Sequence, residues 1–237
     1  MSLELALETE VMSTDPGGVG EFLTARRAED GPFRYLGYAG VGYPDGRRGE
    51  QTYMIRRFQP GVRAVLVNGR SIFLGLDDVQ GYNPIQYRRY VELFLAINGR
   101  DQGYHTAFVL ASGVGSPLLD LLSVRYVVID LSLPQDREDV LALASGRREV
   151  FRSDRAVIYE SPPSVRHAWI VHDVRRSERD ETLVSMSSPA FDPMVTAYVE
   201  GETPTTGRVP NGATERSTVT GETPESLTIE VEATSAG

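Results

Sequence analysis

The spacing of apolar residues along the chain predicts a succession of helices and strands. Apolar side chains that recur every three to four residues after a capping residue are typical of amphipathic helices. Short apolar runs rich in Val, Ile and Tyr indicate buried strands. Helices are predicted at residues 15–29, 83–98, 116–122, 134–144 and 178–186, and strands at residues 33–39, 53–55, 62–67, 125–131, 150–151, 156–159, 168–171, 195–199 and 227–231.

The clearest predicted helix begins at Asn83, whose side chain can cap the first turn, with Pro84 at the next position. Its apolar face has the helical period and consists of Tyr87, Tyr90, Val91, Phe94 and Leu95. The clearest buried strand is the apolar run at 125–131. Together these elements predict a mixed α/β (α+β) fold, in which helices flank a mixed sheet.

The composition changes near residue 191. Thr, Glu, Pro and Gly dominate residues 200–221, and the predicted strands on either side stand alone. We therefore predict two domains: a mixed α/β domain over residues 1–190 and a β-sandwich-like, β-rich segment over residues 191–237. Because the last predicted strand ends close to the final residue, this segment is expected to be truncated. Its exposed edge strand would then allow self-association of the chain.

Composition and charge argue against several classes of partner and of chemistry. The chain has 33 acidic and 24 basic residues and a net charge of −9, so nucleic acid and anionic lipid are not predicted partners. It has no Cys, which excludes disulfides, thiolate nucleophiles and Cys-ligated metals. No apolar stretch reaches the length that a membrane-spanning helix needs.

Few residues could carry catalysis or bind a metal. The Asp77-Asp78 pair and His105 could bind a divalent cation, but adjacent side chains of a strand point to opposite faces, and no regularly spaced third acid follows. The other histidines, His167 and His172, lack the spacing of a zinc site. A P-loop and a Gly-x-Ser-x-Gly elbow are also absent. We predict no catalytic residue, no metal and no cofactor in this chain.

The turn Gly81-Tyr82-Asn83-Pro84 and the helix after it indicate a binding function instead. A tyrosine between Gly and a capping Asn can present its ring to a sugar, and the following arginines can grip an anionic group in a fork geometry. The predicted ligand-binding residues are Tyr82, Asn83, Arg88, Arg89 and Tyr90. The alternative is a tight turn that anchors the helix by an aromatic plug.

A series of short motifs resembles a known family. They are Asp-Val-Gln-Gly-Tyr-Asn-Pro at 78–84, Tyr-Arg-Arg-Tyr at 87–90, Leu-Leu-Asp-Leu-Leu-Ser-Val-Arg-Tyr-Val-Val at 118–128, Val-Ile-Tyr-Glu-Ser-Pro at 157–162 and Phe-Asp-Pro at 191–193. In this order they resemble the soluble region of the YfhO-type bacterial membrane proteins, over residues 60–200. Ser123 and His167 depart from the family pattern.

The resemblance implies a polytopic membrane protein of glycosyltransferase type C character that uses a lipid-linked sugar donor. In such enzymes the catalytic acid lies in the membrane part, which this chain is expected to lack. The chain would then be a non-catalytic domain on the extracytoplasmic side of the cell membrane, positioning an envelope glycan acceptor. Its partners would be the membrane-embedded part of the same polypeptide and the glycan.

Two other interpretations stay open at this point. The chain could be a stand-alone secreted module that binds carbohydrate or another envelope component, and membrane helices encoded upstream would exclude that interpretation. It could also be a soluble hydrolase, because paired carboxylates are plentiful and sequence alone does not place them in space.

Overall fold

The computed structural model describes residues 17–40, 63–67, 69–83, 85–102, 106–162, 167–188, 190–202, 214–223 and 225–235. The chain forms two compact units, Met1–Ser116 with Val124–Val165 and Pro117–Ser123 with Arg166–Gly237. The mixed α/β class predicted from the sequence is confirmed. The strand predicted at 53–55 lies outside the described residues.

Helices and strands alternate through the first unit, and strands predominate near the end of the second. The α-helices are α1 (Val19–Asp30), α2 (Arg88–Asn98), α3 (Glu138–Ala144) and α4 (Arg179–Met186), and the 3-10 helices are Arg70–Leu74, Ala111–Gly113 and Pro117–Leu122. The strands are β1 (Arg34–Tyr38), β2 (Asp77–Asp78), β3 (Gly81–Tyr82), β4 (Thr106–Ala107), β5 (Val124–Asp130), β6 (Arg148–Arg152), β7 (Ala156–Glu160), β8 (Asp173–Arg176), β9 (Thr196–Val199), β10 (Arg216–Thr223) and β11 (Ser226–Glu232).

The main sheet of the first unit is mixed, with the strand order β2-β1-β5-β7-β6. Strand β1 runs parallel to β2 and β5, whereas β7 runs antiparallel to β5 and β6. The central strands β1 and β5 are buried over most of their length. Burial on both faces explains why the β5 sequence is an almost unbroken apolar run.

The core of the first unit lies between α1 and one face of this sheet. Val19 and Leu23 of α1 are fully buried and belong to the same cluster as Tyr126 and Val128 of β5. The rings of Phe22 and Tyr126 meet edge to face at 6.1 Å between centroids. Burying each large apolar side chain contributes about 1.5–3 kcal/mol relative to exposing it. The helix predicted at 15–29 corresponds to α1 over most of its described residues.

The strand predicted at 62–67 is wrong for residues 63–67. Residues 63–64 are helical and residues 65–67 form a turn, in which Leu66 has a positive φ of 58°. The carbonyl of Val65 crosses β1 so closely that a Cβ on Gly37 would lie 2.1 Å from its oxygen. A short apolar run has the same appearance in a buried strand and in a buried turn, so its pattern does not separate the two.

Strand assignments in the second unit also need correction. Residues 168–171 were predicted as a strand, but β8 begins only at Asp173. The Trp169 Nε1 donates to Pro193 O at 2.8 Å, and Ala168 O accepts from the Ser217 hydroxyl at 2.7 Å. Strand β10 was not predicted, because its Thr-rich sequence carries little apolar alternation.

Among its described residues, the C-terminal segment contains β9, β10 and β11. Strand β10 pairs antiparallel with β11 through a tight hairpin, and β8 pairs parallel with β9. The domain boundary after residue 190 stays a prediction. The two strands of the β8–β9 pair lie on either side of that position.

Candidate binding site

The segment between β3 and α2 projects apolar side chains into solvent. Ile85 is 84% exposed and Tyr87 is 89% exposed. Asn83 and Arg88 on either side are exposed as well. We call residues 83–87 the Tyr87 turn; Pro84 within it lies outside the described residues.

The Tyr87 turn is anchored on its C-terminal side by Tyr90. The Tyr90 hydroxyl donates a hydrogen bond to Val79 O, and its ring lies 4.9 Å from that of Phe94. Burial, reinforced by the nearby Asp78 carboxyl, raises the pKa of Tyr90. Tyr90 therefore stays protonated and anchors the start of α2.

On its N-terminal side the turn is held by a side chain. The Asn83 Oδ1 accepts from Ile85 N at 2.9 Å, which closes a turn of the Asx type. The sequence suggested that Asn83 caps the helix, but its side chain closes this turn instead. Helix α2 begins at Arg88, with Tyr87 at the N-cap position and an extended backbone there. The predicted start was wrong because an Asn before Pro favours a turn as readily as a cap.

The five predicted binding residues take different positions around this turn. Tyr82 lies in β3, where it pairs with Thr106 of β4. Arg88 is 79% exposed and forms an ion pair of 2.7 Å with Glu92 one helical turn away. Arg89 is also exposed at the start of α2, whereas Tyr90 points inward. The structure thus keeps two exposed arginines beside the turn.

Among the described side chains of this region, the exposed aromatic one is Tyr87, which the sequence placed on the apolar face of the helix. That assignment was wrong for Tyr87 and for Leu95, which is also exposed. The face of α2 that packs inward instead contains Phe94, Ile97 and Asn98. The sequence did not separate Tyr87 from the helical face, because residues before the first helical turn are recognised only when the helix start is known.

Three amide side chains bind backbone groups of the segments next to the Tyr87 turn. We call Gln80, Asn98 and Gln102 the amide clamps. The Gln80 side chain donates to Gly37 O at 2.5 Å and accepts from Val109 N at 3.0 Å. Gln102 donates to Phe108 O and accepts from Phe108 N, at 3.0 and 3.1 Å. Each amide thus satisfies backbone groups that a neighbouring strand would satisfy in a longer sheet.

Asn98, the last residue of α2, forms the most buried clamp. Its Nδ2 donates to Phe108 O and its Oδ1 accepts from Leu110 N, both at 2.9 Å. Its carbonyl accepts from the Ser112 hydroxyl at 2.8 Å. A Cβ at Gly113 would lie 2.3 Å from the Asn98 Oδ1, so glycine is required there. The sequence does not predict this network, because side-chain bonds to a distant backbone leave no periodic pattern.

We expect Asn98→Asp to destabilise the fold by about 2–3 kcal/mol at pH 7. The substitution keeps the side-chain shape but places a carboxylate oxygen against Phe108 O, where the amide now donates. The matched control is Asn83→Asp, because the exposed Asn83 side chain only accepts, and a carboxylate can do the same. Urea denaturation of both variants measures the difference. Equal stability of the two variants would contradict the role of the Asn98 clamp.

The motifs at 124–126 and 159–161 come together in the structure. Tyr126 of β5 is paired with Glu160 of β7, and the Arg125 guanidinium lies 3.3 Å from the Glu160 carboxylate. The Ser161 hydroxyl donates to Val124 O at 2.7 Å. Burial raises the pKa of Glu160, but hydrogen bonds from Arg148 and Arg125 outweigh it and leave the pKa lowered. These motif residues therefore hold the amino end of β5 to β7.

Buried carboxyls also lie at the opposite end of the sheet, where the carboxyl ends of β1 and β5 meet. Open α/β sheets commonly bind ligands at this edge. Here Asp139 accepts two bonds from the Arg137 guanidinium, at 2.7 and 2.5 Å, and one from the Tyr38 hydroxyl. The Asp130 Oδ1 accepts from Ser132 N at 2.8 Å. The carboxyl groups at this edge thus connect α3 and its preceding loop to the sheet.

The predicted candidates for metal binding do not converge among the described residues. Asp77 forms an ion pair of 2.6 Å with Arg27, and the Asp78 Oδ1 accepts from Gln80 N at 3.0 Å. Burial raises the pKa of Asp78, which weakens it as a cation ligand. His105 lies outside the described residues. In the described part of the chain, no group of three or more His, Asp and Glu side chains could hold a metal ion.

The two described histidines each face a glutamate in the second unit. The His172 Nε2 lies 2.6 Å from the Glu215 carboxylate, and the His167 Nε2 lies 3.9 Å from the Glu222 carboxylate. The hydrogen bond with His172, followed in strength by bonds from Thr234, lowers the pKa of Glu215 to about 2. These pairs connect residues 167–172 to β10 and the residue before it.

Comparison of the chain with protein-family models, with curated proteins and with solved structures finds no match. The resemblance to the YfhO-type proteins therefore stays a prediction that rests on the ordered motifs. Within the described residues, no helix combines the length and the apolar character needed to cross a bilayer.

Proposed function

We propose that this chain is a non-catalytic extracytoplasmic domain of a polytopic membrane glycosyltransferase, and that it binds an envelope glycan acceptor at the Tyr87 turn. The observation that carries the glycan-binding part is an exposed tyrosine on a turn that is anchored on both sides. The ordered motifs between residues 78 and 193 support the membrane-protein part. The binding surface consists of Ile85, Tyr87, Arg88 and Arg89.

The chemistry of these side chains suits a sugar. The face of a tyrosine ring is apolar with a negative electrostatic potential, so it can stack on the C–H face of a pyranose. Arginine supplies several N–H donors in a fixed plane, which suit sugar hydroxyls and the carboxylates of acidic envelope sugars. A large apolar side chain held in water loses the stabilisation of burial, and a ligand that covers it restores that stabilisation.

Anchoring on both sides lowers the entropic cost of binding. The Asn83–Ile85 bond fixes the first part of the turn, and the Tyr90–Val79 bond fixes the start of α2. A surface that is already ordered loses less conformational freedom when a ligand docks. The acceptor would thus be positioned by a rigid surface of this domain, while the acid that performs the transfer belongs to the membrane part.

Tyr87→Ala should weaken glycan binding about tenfold, the equivalent of about 1.4 kcal/mol, because the stacking surface is lost. Tyr87→Phe keeps the ring and should bind like the unmodified chain. The matched control is Leu141→Ala, which removes an exposed apolar side chain on α3. Isothermal titration against peptidoglycan fragments, teichoic acids and capsular polysaccharides measures the affinities. The proposal fails if Tyr87→Ala binds as tightly as the unmodified chain, or if the unmodified chain binds none of these glycans.

A further inference from the structure

The last strand, β11, presents an apolar stripe to solvent. Leu227, Ile229 and Val231 alternate along β11, so their side chains share one face, and they are 43%, 41% and 56% exposed. Among the described residues, β11 pairs with β10 alone. Its second edge therefore offers unpaired backbone N–H and C=O groups within the described part of the chain.

The β10 half of the same face is covered from within the unit. Directly opposite residues of an antiparallel pair share a face, and Ser217 and Glu222 lie opposite Val231 and Leu227. The Ser217 hydroxyl donates to Ala168 O, and Glu222 faces His167. Residues 167–172 thus cover β10 and leave the β11 half of the face exposed.

The sequence of β11 is complementary to itself in the antiparallel direction. When two copies pair about Ile229, residues at equal distances from it become opposite. Leu227 of one copy then faces Val231 of the other, and Ile229 faces Ile229, so the two apolar stripes form one surface. On the other face, Thr228 lies opposite Glu230, and Ser226 lies opposite Glu232.

Charge favours this register over the one about Glu230, one residue towards the C-terminus. In the pairing about Ile229, both glutamates face hydroxyl groups, which can donate hydrogen bonds to them. A shift to a pairing about Glu230 would place two carboxylates directly opposite each other, which is destabilising in a sheet. Thus the register that joins the apolar residues also separates the acids.

We propose that β11 is a docking surface for a second copy of this chain, which adds its own β11 antiparallel about Ile229 to form a four-stranded sheet. This inference is independent of the glycan-binding function. Because each copy contributes one strand, the interface is small, and we expect a weak dimer populated at roughly 0.1 mM protein. Each copy carries a net charge of −9, so added salt should strengthen the dimer by screening the repulsion.

A cysteine scan tests the register, because the native chain has no Cys that could interfere. Residues directly opposite each other in an antiparallel pair lie about 4.5–5.5 Å apart between Cα atoms, within the range of a disulfide. Ile229→Cys should therefore form a covalent dimer under mild oxidation. Leu227→Cys alone should not, since its counterpart lies four residues along the strand, whereas the double variant Leu227→Cys, Val231→Cys should.

Analytical ultracentrifugation of the unmodified chain tests the dimer itself. We expect Ile229→Glu, which opposes two carboxylates on the two-fold axis, to weaken the dimer at least about tenfold. Leu141→Glu on α3 should leave the dimer unchanged, and circular dichroism checks that both variants fold. A native chain that stays monomeric up to 1 mM overturns the proposal. So does cross-linking of Leu227→Cys as efficient as that of Ile229→Cys.

Discussion

Arg137→Ala should lower the free energy of unfolding by about 3–5 kcal/mol at pH 7. The Arg137 guanidinium makes a bidentate contact with the Asp139 carboxylate; the Asp139 side chain is buried and the Arg137 side chain is only 12% exposed. Removing the arginine leaves a buried carboxylate without its cation, although the Tyr38 hydroxyl and Val140 N still donate to it. The free energy of unfolding is measured by urea denaturation followed by circular dichroism.

The matched control is Arg152→Ala. Arg152 also forms a bidentate pair at 2.8 and 2.7 Å, with Glu149, but both side chains are exposed. Exposed pairs contribute about 0–1 kcal/mol, so this variant should stay close to the unmodified chain. A loss of stability as large as that of Arg137→Ala would show that burial is not the cause.

The effect of Arg137→Ala should shrink as the pH falls. In the native chain burial raises the pKa of Asp139, but hydrogen bonds from Arg137 and Tyr38 outweigh it and leave the pKa lowered. The stabilisation is therefore complete above the ordinary carboxyl pKa of about 3.9 and is lost as the pH falls through the lower folded value. Without Arg137, burial raises the pKa, and protonation then relieves the destabilisation on acidification. An equal loss of unfolding free energy in Arg137→Ala at pH 7 and at pH 4 would contradict this explanation.

A second large effect is expected at Gly37. This glycine lies in β1, and a Cβ would meet Val65 O at 2.1 Å and Val67 Cγ1 at 3.1 Å. On the other side, the Gly37 carbonyl accepts from the Gln80 side chain at 2.5 Å. Backbone groups cannot rotate away as a side chain can, so the strand or the turn must move. We expect Gly37→Ala to cost about 3 kcal/mol or more.

Thermal unfolding measures this cost. A loss of 3 kcal/mol corresponds to a decrease in Tm of about 6–12 °C for a domain of this size. The control is Gly115→Ala, because a Cβ at Gly115 meets nothing within 4 Å. If Gly37→Ala yields no folded protein, the double variant Gly37→Ala, Val67→Ala removes the contact with Val67 Cγ1. It then tests whether the contact with Val65 O alone prevents folding. A Tm of Gly37→Ala within 2 °C of the unmodified chain would contradict the close approach.

The sequence predicts the central sheet well because its strands are buried on both faces. The apolar runs at 125–131 and 156–159 correspond closely to β5 and β7. Prediction fails where side chains replace a neighbouring strand. Gln80 and Asn98 bind backbone groups between 10 and 43 residues away, and no local pattern reports such contacts.

The proposed binding surface lies in the same part of the chain as the predicted binding residues, but it assigns different roles to them. Tyr87 and Tyr90 are three residues apart and look equivalent in a helical pattern. The two tyrosines differ in exposure because α2 begins only at Arg88. Tyr87 therefore precedes the helix, while Tyr90 packs on Phe94. A shift of the helix start decides which tyrosine is available to a ligand.

The Asn98 clamp also has a consequence for chemical ageing. Asn98 precedes Gly99, and asparagine amides are among the groups that heat degrades most readily, an Asn-Gly pair cyclising easily once the backbone is free. In the folded chain both amide atoms of Asn98 are hydrogen-bonded and the residue is buried, so the backbone amide of Gly99 has little freedom to attack. Hydrolysis of the cyclic imide would leave a carboxylate, in aspartate or isoaspartate, in place of the amide that now donates to Phe108 O. The fold thus protects the amide on which it depends, and damage at this position accumulates during the time that the chain spends unfolded.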